Sequence, residues 1–533
     1  MKKIFKSFTL LVLAMTLAVI SGCTKLNEVV YSEVLSKDFV PTAADIPSLI
    51  APVYSVMRPM WADWYGNFDT QEEPGNQIVT PQRPNGWVDG GTYQRMHQHK
   101  WTPLEGQPNG LWSNCYIGIN TANRVIYQIQ SGQIVMPTGK DQTLAELRTC
   151  RAFYYYHLMC NQGNVPLVTD FSSKDLPTQS TQAQIYKFVV DELTACIPLL
   201  STDVSSATYG RFTQWGAKTL LAKTYLNAEF LTGVKDNTNW PKCQALCDEV
   251  IASGKYLLEP TYKTNFITKN EVSKELIFAV PYDEILGTGF CIHMKTLDPA
   301  MQIVFQMQAQ PWGGSCAAPQ FINTYDPSDN RLKDTWLMGP QYNPNTGALV
   351  LTFPNYLNSI FGPNDYWDGF RDGKYEVKIG ALGSLSNDFP IFRYADILMM
   401  KAECLLRTGN ADGAAVLVSQ VRARDFTGAN ASKATVTGAK LLGNSVYQYG
   451  WCEKNVVTPD ANQTPILYGG FLDELGWEFA CEAHTRQDLI RFGVFSTKTW
   501  VNHLPVVDGH TKLFPIPQSE LNKNPNLKQN PGY

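Results

Sequence analysis

Residues 213–232 read TQWGAKTLLAKTYLNAEFLT, and this stretch decides the fold. Ala217, Leu220, Leu221, Thr224, Tyr225, Ala228 and Leu231 recur three and four residues apart, so they share one face of a helix. Gly233 supplies a stop, and Pro241 opens a second helix that runs to Ser253-Gly254. The same pairing returns further on. Arg393 to Arg407 reads as helix, Thr408-Gly409-Asn410 turns, and Ala411 to Arg424 resumes, about 32 residues in all, with Ala402 and Ala414 as small contact residues. These pairs predict a mainly α, tetratricopeptide-like helical-pair scaffold. The strict repeat consensus is absent, so the pairs are divergent.

Outward from these pairs, residues 41–58, 111–131, 144–159 and 183–199 carry the same periodicity, and a last helix is expected over 473–492. Residues 276–392 differ. They hold short strand candidates at 276–280 and 375–378, separated by Pro311-Trp312-Gly313-Gly314, Asn343-Pro344-Asn345 and Gly362-Pro363-Asn364-Asp365. This is a loop-rich, partly β excursion. The expected organisation is a leader at 1–22, a helical region at 23–270 and a C-terminal region at 271–533 that contains the excursion.

The leader begins with Lys2, Lys3 and Lys6 and continues as a largely apolar run from Phe8 to Ile20. That run falls short of the ~20 residues a spanning helix needs and has the form of a secretory signal. Its end, Val19-Ile20-Ser21-Gly22-Cys23, resembles a bacterial lipobox, which predicts lipidation of Cys23. Loss of the three lysines takes the net charge from −4 to −7. Eleven further cysteines remain, an odd number with no CxxC pair, and most sit in apolar contexts, so buried thiols are expected.

Charged residues make up only 17% of the chain and aromatics 12%, which excludes general disorder. The slightly acidic balance gives a polyanion no reason to bind, so nucleic acid is excluded as a partner. Low charge with many Trp, Tyr, Asn and Gln suits a neutral, hydroxyl-rich ligand.

No nucleophile elbow, Walker loop or HExxH occurs. His97-Gln98-His99 has metal-like spacing but no third ligand nearby, and hydrogen bonding to backbone is the favoured reading. Glu72-Glu73, Asp191-Glu192 and Asp473-Glu474 are adjacent pairs, and adjacent residues on a helix do not face each other across a sugar. Glu478, Glu482 and Arg486 follow at spacings of four and are expected to lock their helix by ion pairs. Trp61, Trp64, Trp87, Trp101, Trp312, Trp336 and Trp367 lie near Gly, Pro, Asn or Asp, where about half should be core plugs and the rest stacking platforms.

Several motifs now coincide. Cys150-Arg-Ala-Phe-Tyr-Tyr-Tyr-His-Leu158 with Gly163-Asn-Val-Pro-Leu-Val-Thr169, Gly210-Arg211 with Ala217 to Ala228, Phe392-Arg-Tyr-Ala-Asp-Ile-Leu-Met-Met-Lys-Ala-Glu403, and the tail from Pro515 to Tyr533 occur in order. Together with the lipobox they resemble the SusD/RagB family of outer-membrane nutrient-binding lipoproteins. The resemblance implies a surface lipoprotein on the outer membrane. It would capture an oligosaccharide or polysaccharide and deliver it to a SusC-like TonB-dependent transporter, with no catalysis. The alternatives are an envelope glycoside hydrolase, or a non-catalytic peptide-binding or adaptor lipoprotein. No cofactor is expected, with bound calcium left open. Trp87 and Trp312 are expected to stack on the ligand, with Trp64 and Tyr282 as further platforms. Arg83, Asn85 and Asp89 would bind hydroxyls beside Trp87.

Overall fold

The computed structural model describes Thr42 and residues 44–63, 66–84 and 88–533. Cys23, Trp64, Asn85 and Trp87 lie outside the described residues. The scaffold is built on α1 (Ile46–Ser55), α2 (Gly106–Gln130), α3 (Lys140–Asn161), α4 (Gln182–Cys196), α5 (Gln214–Leu226) and α6 (Asn239–Ala252). It continues through α7 (Tyr394–Arg407), α8 (Ala411–Arg422), α9 (Gly469–Phe479) and α10 (Thr485–Arg491). Sequential neighbours pack on one another: α2 on α3, α3 on α4, α5 on α6 and α7 on α8, with α6 joining the series across to α7. This is the mainly α, helical-pair scaffold that the periodicity predicts.

The family-like motif in α3 reads as a core element because every residue from Thr149 to Asn161 is buried. Contact with α2 is close: a Cβ on Gly118 would stand 2.3 Å from the Tyr154 ring. Phe153 joins the rings of Trp61, Phe212 and Phe278 in one aromatic cluster. The eleven cysteines beyond Cys23 carry free thiols, ten of them buried and Cys291 half-buried.

Three expected helices are interrupted, the first of them, over residues 41–58, parted at Val56 into Ile46–Ser55 and Met57–Trp61. Residues 213–232 bend at Asn227, and Ala228–Thr232 starts a new short helix. The Asn227 side chain donates to the Lys223 carbonyl and accepts from Arg491 on α10, while its backbone N–H still reaches Lys223 O. The helix expected over 473–492 is broken between α9 and α10, where Cys481 and Ala483 both take φ of 62°. Glu482 and Arg486 are therefore not partners. Glu482 turns inward to Arg393 and Lys374, while Arg486 donates to the carbonyls of Cys160 and Lys512.

Ion pairs do lock this region, through distant segments. Arg393, fully buried, reaches Glu275 at 2.6 Å, Glu478 at 3.1 Å and Glu482 at 2.6 Å. Arg331 binds Asp329 at 2.7 Å and lies 3.4 Å from Glu478, and Arg424 pairs with Glu275 and Glu478. Burying these charges is costly, and the mutual pairing offsets that cost here.

The excursion starts and ends on one strand pair. β1 (Leu276–Val280) runs antiparallel to β2 (Phe389–Arg393), with Phe389 opposite Val280 and Arg393 opposite Leu276. β2 leads directly into α7. Residues 375–378 do not form the expected strand. Lys374 and Tyr375 are drawn into the core instead, and Glu376 donates one backbone bond to Phe266. A hairpin of Gly450–Glu453 with Val456–Pro459 was not legible in advance; its turn residues Lys454 and Asn455 both have positive φ. Among the described residues no helix is long and apolar enough to cross a membrane.

Candidate functional site

The segment that ends at Trp61 turns sharply before the helix Asn67–Glu72. Gly66 permits that turn, since a Cβ there would lie 2.3 Å from the Trp61 carbonyl oxygen. The helix presents Asp69, and Glu73 follows at its end. Both carboxylates bind Lys295, at 2.5 and 2.6 Å, from the short helix Ile292–Thr296. The Lys295 ammonium also lies 3.9 Å from the centre of the Tyr93 ring. Burial pulls this ammonium down, but Asp69 and Glu73 outweigh it and hold Lys295 above its usual range. Burial, with Lys295 opposing, raises Asp69.

The loop carrying Trp312 is tied to the same helix. Trp312 N–H donates to the Met294 carbonyl at 2.8 Å and Gly314 N–H to that of Lys295 at 2.7 Å. Trp312 is half-buried and lines a small pocket of about 20 Å³ with Asp63, Tyr93 and Lys295. Asp89 stands in the field of Lys295 and Asp69. Burial raises its carboxyl, with Lys295 opposing and Asp69 reinforcing. Its Oδ2 is buried without a hydrogen-bond partner among the described residues. Trp312, Asp89, and Asp63 next to Trp64 therefore surround one cation cage.

Two expected ligand residues are placed elsewhere. Tyr282 is 5% exposed, its ring meets Phe290 edge-on, and its hydroxyl donates to Arg58 O while accepting from Ala62 N–H. It fixes the chain leading to Trp61 and offers no stacking face. Arg83 is not a rim group for hydroxyls. It is buried beneath the loops, donating to the carbonyls of Asp365 (3.2 Å), Asp368 (2.9 Å) and Gly314 (3.1 Å).

The loop tryptophans divide as physical reasoning suggests. Trp61, Trp101 and Trp336 are buried plugs, whereas Trp367 is 45% exposed. His97 and His99 bond to backbone carbonyls, His97 to Val501 and Glu73 and His99 to Pro74, as their reading required. Burial lowers them to about 4 and about 3. Among the described residues no group of three or more His, Cys, Asp or Glu side chains is arranged to hold a metal ion.

A larger cleft of about 750 Å³ lies between α2, residues 166–180 and the segment 520–527. Trp112 and Tyr116 line it, and none of the residues expected to bind the ligand does. Sequence reading missed it because its walls are joined by ties such as Asn524 Nδ2 to Pro177 O, between positions more than 300 residues apart.

Residues 274–533 match the family described as SusD family, and residues 31–226 match the one described as Starch-binding associating with outer membrane. The chain belongs to the SusD family. This SusD-family chain is 23% identical over 530 residues to a SusD-like protein of Formosa agariphila, covering 93% of each. It is 22% identical over 508 residues to the Starch-binding protein SusD of Bacteroides thetaiotaomicron, covering 86% of this chain and 84% of that one. A solved structure titled Laminarin binding SusD-like protein matches with a TM-score of 0.69 at 21% identity, over 93% of this chain and 100% of that one. Surface glycan-binding protein A from Bacteroides thetaiotaomicron, in complex with laminarihexaose, matches at 0.68 and 20% identity, over 92% of this chain and 100% of that one. These likenesses show that the SusD fold is shared.

Proposed function

We propose that this SusD-family chain is a cell-surface lipoprotein that holds a neutral oligosaccharide or polysaccharide and passes it to a SusC-like TonB-dependent transporter. Lipid on Cys23 would anchor it to the outer membrane, and it would perform no catalysis. The observation that carries this reading is the convergence at the Lys295 cage. The half-buried Trp312 ring and Asp63 line the pocket beside Lys295, and Asp89, with its unpartnered oxygen, stands in the same field, all outside the scaffold helices. Trp312, Trp87 and Trp64 would stack on the apolar faces of pyranose rings, and Asn85 and Asp89 would take hydroxyls. Asp69 and Glu73 are both committed to Lys295, which disfavours their use as the acid and base of a hydrolase. The names of relatives that bind starch, laminarin or laminarihexaose support the ligand class.

Affinity electrophoresis through gels containing laminarin, amylopectin, xylan or galactomannan tests the reading. Retardation by at least one gel, without release of reducing sugar, is expected. Release of sugar that one carboxylate substitution abolishes would establish the hydrolase instead. Retardation lost on Ser113→Trp, which sets an indole ring in the wall of the 750 Å³ cleft, but kept on Trp312→Ala would move the site to that cleft.

A further inference from the structure

Tyr366 and Trp367 occupy the corner of a four-residue turn, Asp365 to Asp368. The turn is closed by Asp368 N–H to Asp365 O at 3.3 Å and Asp365 N–H to the Asp368 carboxylate at 2.9 Å. Turn corners favour Gly, Pro, Asn, Asp and Ser, each for a backbone reason that an aromatic ring lacks. Burial does not explain the rings either: Tyr366 is 46% and Trp367 45% exposed. Local structure and core packing therefore both leave this aromatic pair without a cause.

The turn is nevertheless held rigidly. Arg83 donates to Asp365 O and Asp368 O, the two carbonyls that bracket the rings. Arg371, fully buried, donates to Tyr366 O at 2.7 Å and to Ser315 O at 3.1 Å. Burial, and then the neighbouring Arg83 charge, pull Arg371 down to about 9. Two guanidiniums are thus buried side by side and spend their donors on loop carbonyls. Burying charge is unfavourable, so such bracing is expected where loop geometry matters.

The same braces fix the turn to the site already described. The guanidinium of Arg83 that holds Asp368 also holds Gly314, two residues beyond Trp312. Arg371 likewise ties Tyr366 to Ser315. Ala317 N–H donates to Phe370 O at 2.8 Å, and Gln82 N–H donates to Ile360 O at 2.9 Å. The loop of Trp312, the segment of Gln82 and Arg83, and the turn of Tyr366-Trp367 consequently share one buried clasp.

We infer that Tyr366 and Trp367 form a second aromatic subsite for the glycan, beside the Trp312 subsite, with Arg83 and Arg371 as the positioning residues that hold the two in register. The inference rests on the glycan-binding reading above. On this inference the ligand that engages both subsites is an oligosaccharide of several sugar units, and its neutral pyranose faces are what exposed rings of this kind desolvate. Chain length, rather than linkage alone, then governs affinity.

Isothermal titration with laminarihexaose and maltohexaose, and with laminaribiose and maltose, tests this on the full chain. Trp367→Ala should weaken the hexasaccharide that binds by tenfold or more, and Tyr366→Ala by a smaller factor. The matching disaccharide should change by less than twofold. Trp312→Ala should weaken both lengths. Melting temperature reports folding, and a half-exposed ring at a turn should leave it within a few degrees. Unchanged hexasaccharide affinity in Trp367→Ala, with wild-type binding intact, overturns the subsite and leaves the glycan reading standing; the rings would then suit a protein partner. Absence of wild-type binding to every probe here and to every polysaccharide gel removes the reading and the subsite together.

Discussion

Trp312 and Tyr282 look alike as sequence, each an aromatic residue among Pro, Gly and Asp, yet they make opposite predictions. Trp312→Ala should lower glycan affinity roughly tenfold to a hundredfold, by analogy with stacking of about 1–3 kcal/mol per ring. Tyr282→Phe should leave affinity unchanged and cost about 1–3 kcal/mol of stability, because Arg58 O loses its donor and Ala62 N–H its acceptor in a buried site. Parallel titration and denaturant unfolding separate the two. Glu72 gives a second residue-scale test. Its carboxyl is buried and meets Thr485 Oγ1 at 2.6 Å and His484 N–H at 3.1 Å. Burial pushes it up to about 7 from the usual 4.5, against those hydrogen bonds. The folded chain therefore binds a proton that the unfolded chain releases, and this contribution to stability is full below about pH 4.5 and declines as pH rises to about 7. Glu72→Gln should flatten that part of the stability profile. An unaltered slope would show that Glu72 holds its proton equally in the folded and unfolded chains.

Helices were legible wherever apolar spacing continued, and their breaks were not. Asn227 sits at an acceptable helical position, and the Arg491 donor that its amide oxygen meets where the helix bends lies far along the chain. The spacing of Glu478, Glu482 and Arg486 suited one continuous helix, but Arg393 and Lys374 draw Glu482 inward and the backbone passes through two left-handed residues. The same limit applied at the site. The partial exposure of Trp312 was legible from its Pro and Gly neighbours, whereas the burial of Arg83 depends on carbonyls more than 200 residues away. Two substitutions probe the element scale. Gly118→Ala forces a methyl into the Tyr154 ring between α2 and α3 and should cost about 1–3 kcal/mol. Arg393→Met removes the cation that Glu275, Glu478 and Glu482 share, leaving them Arg424, Arg331 and Lys374, and should cost about 3–5 kcal/mol. Chemical denaturation measures both, and equal, negligible losses would mean that the packing and the charge network relax freely.

For the whole molecule, attachment to the membrane should reside in one atom, the Cys23 sulfur. Cys23→Ala should move the protein from the membrane pellet to the soluble fraction and abolish labelling by a fatty-acid analogue. A mutant that stays in the pellet with its label would refute lipidation there.

The pairing of β1 with β2 has an evolutionary corollary. Residues 281–388 leave and re-enter the scaffold through neighbouring positions of one strand pair, so the intervening segment is topologically a cassette. A related chain could exchange it and acquire a different sugar preference while retaining its helical frame. The exchange would carry one condition. Arg331 and Lys374 belong to the cassette but plug into carboxylates of the frame at Glu478 and Glu482, so a successful graft must bring cations that fit both sockets.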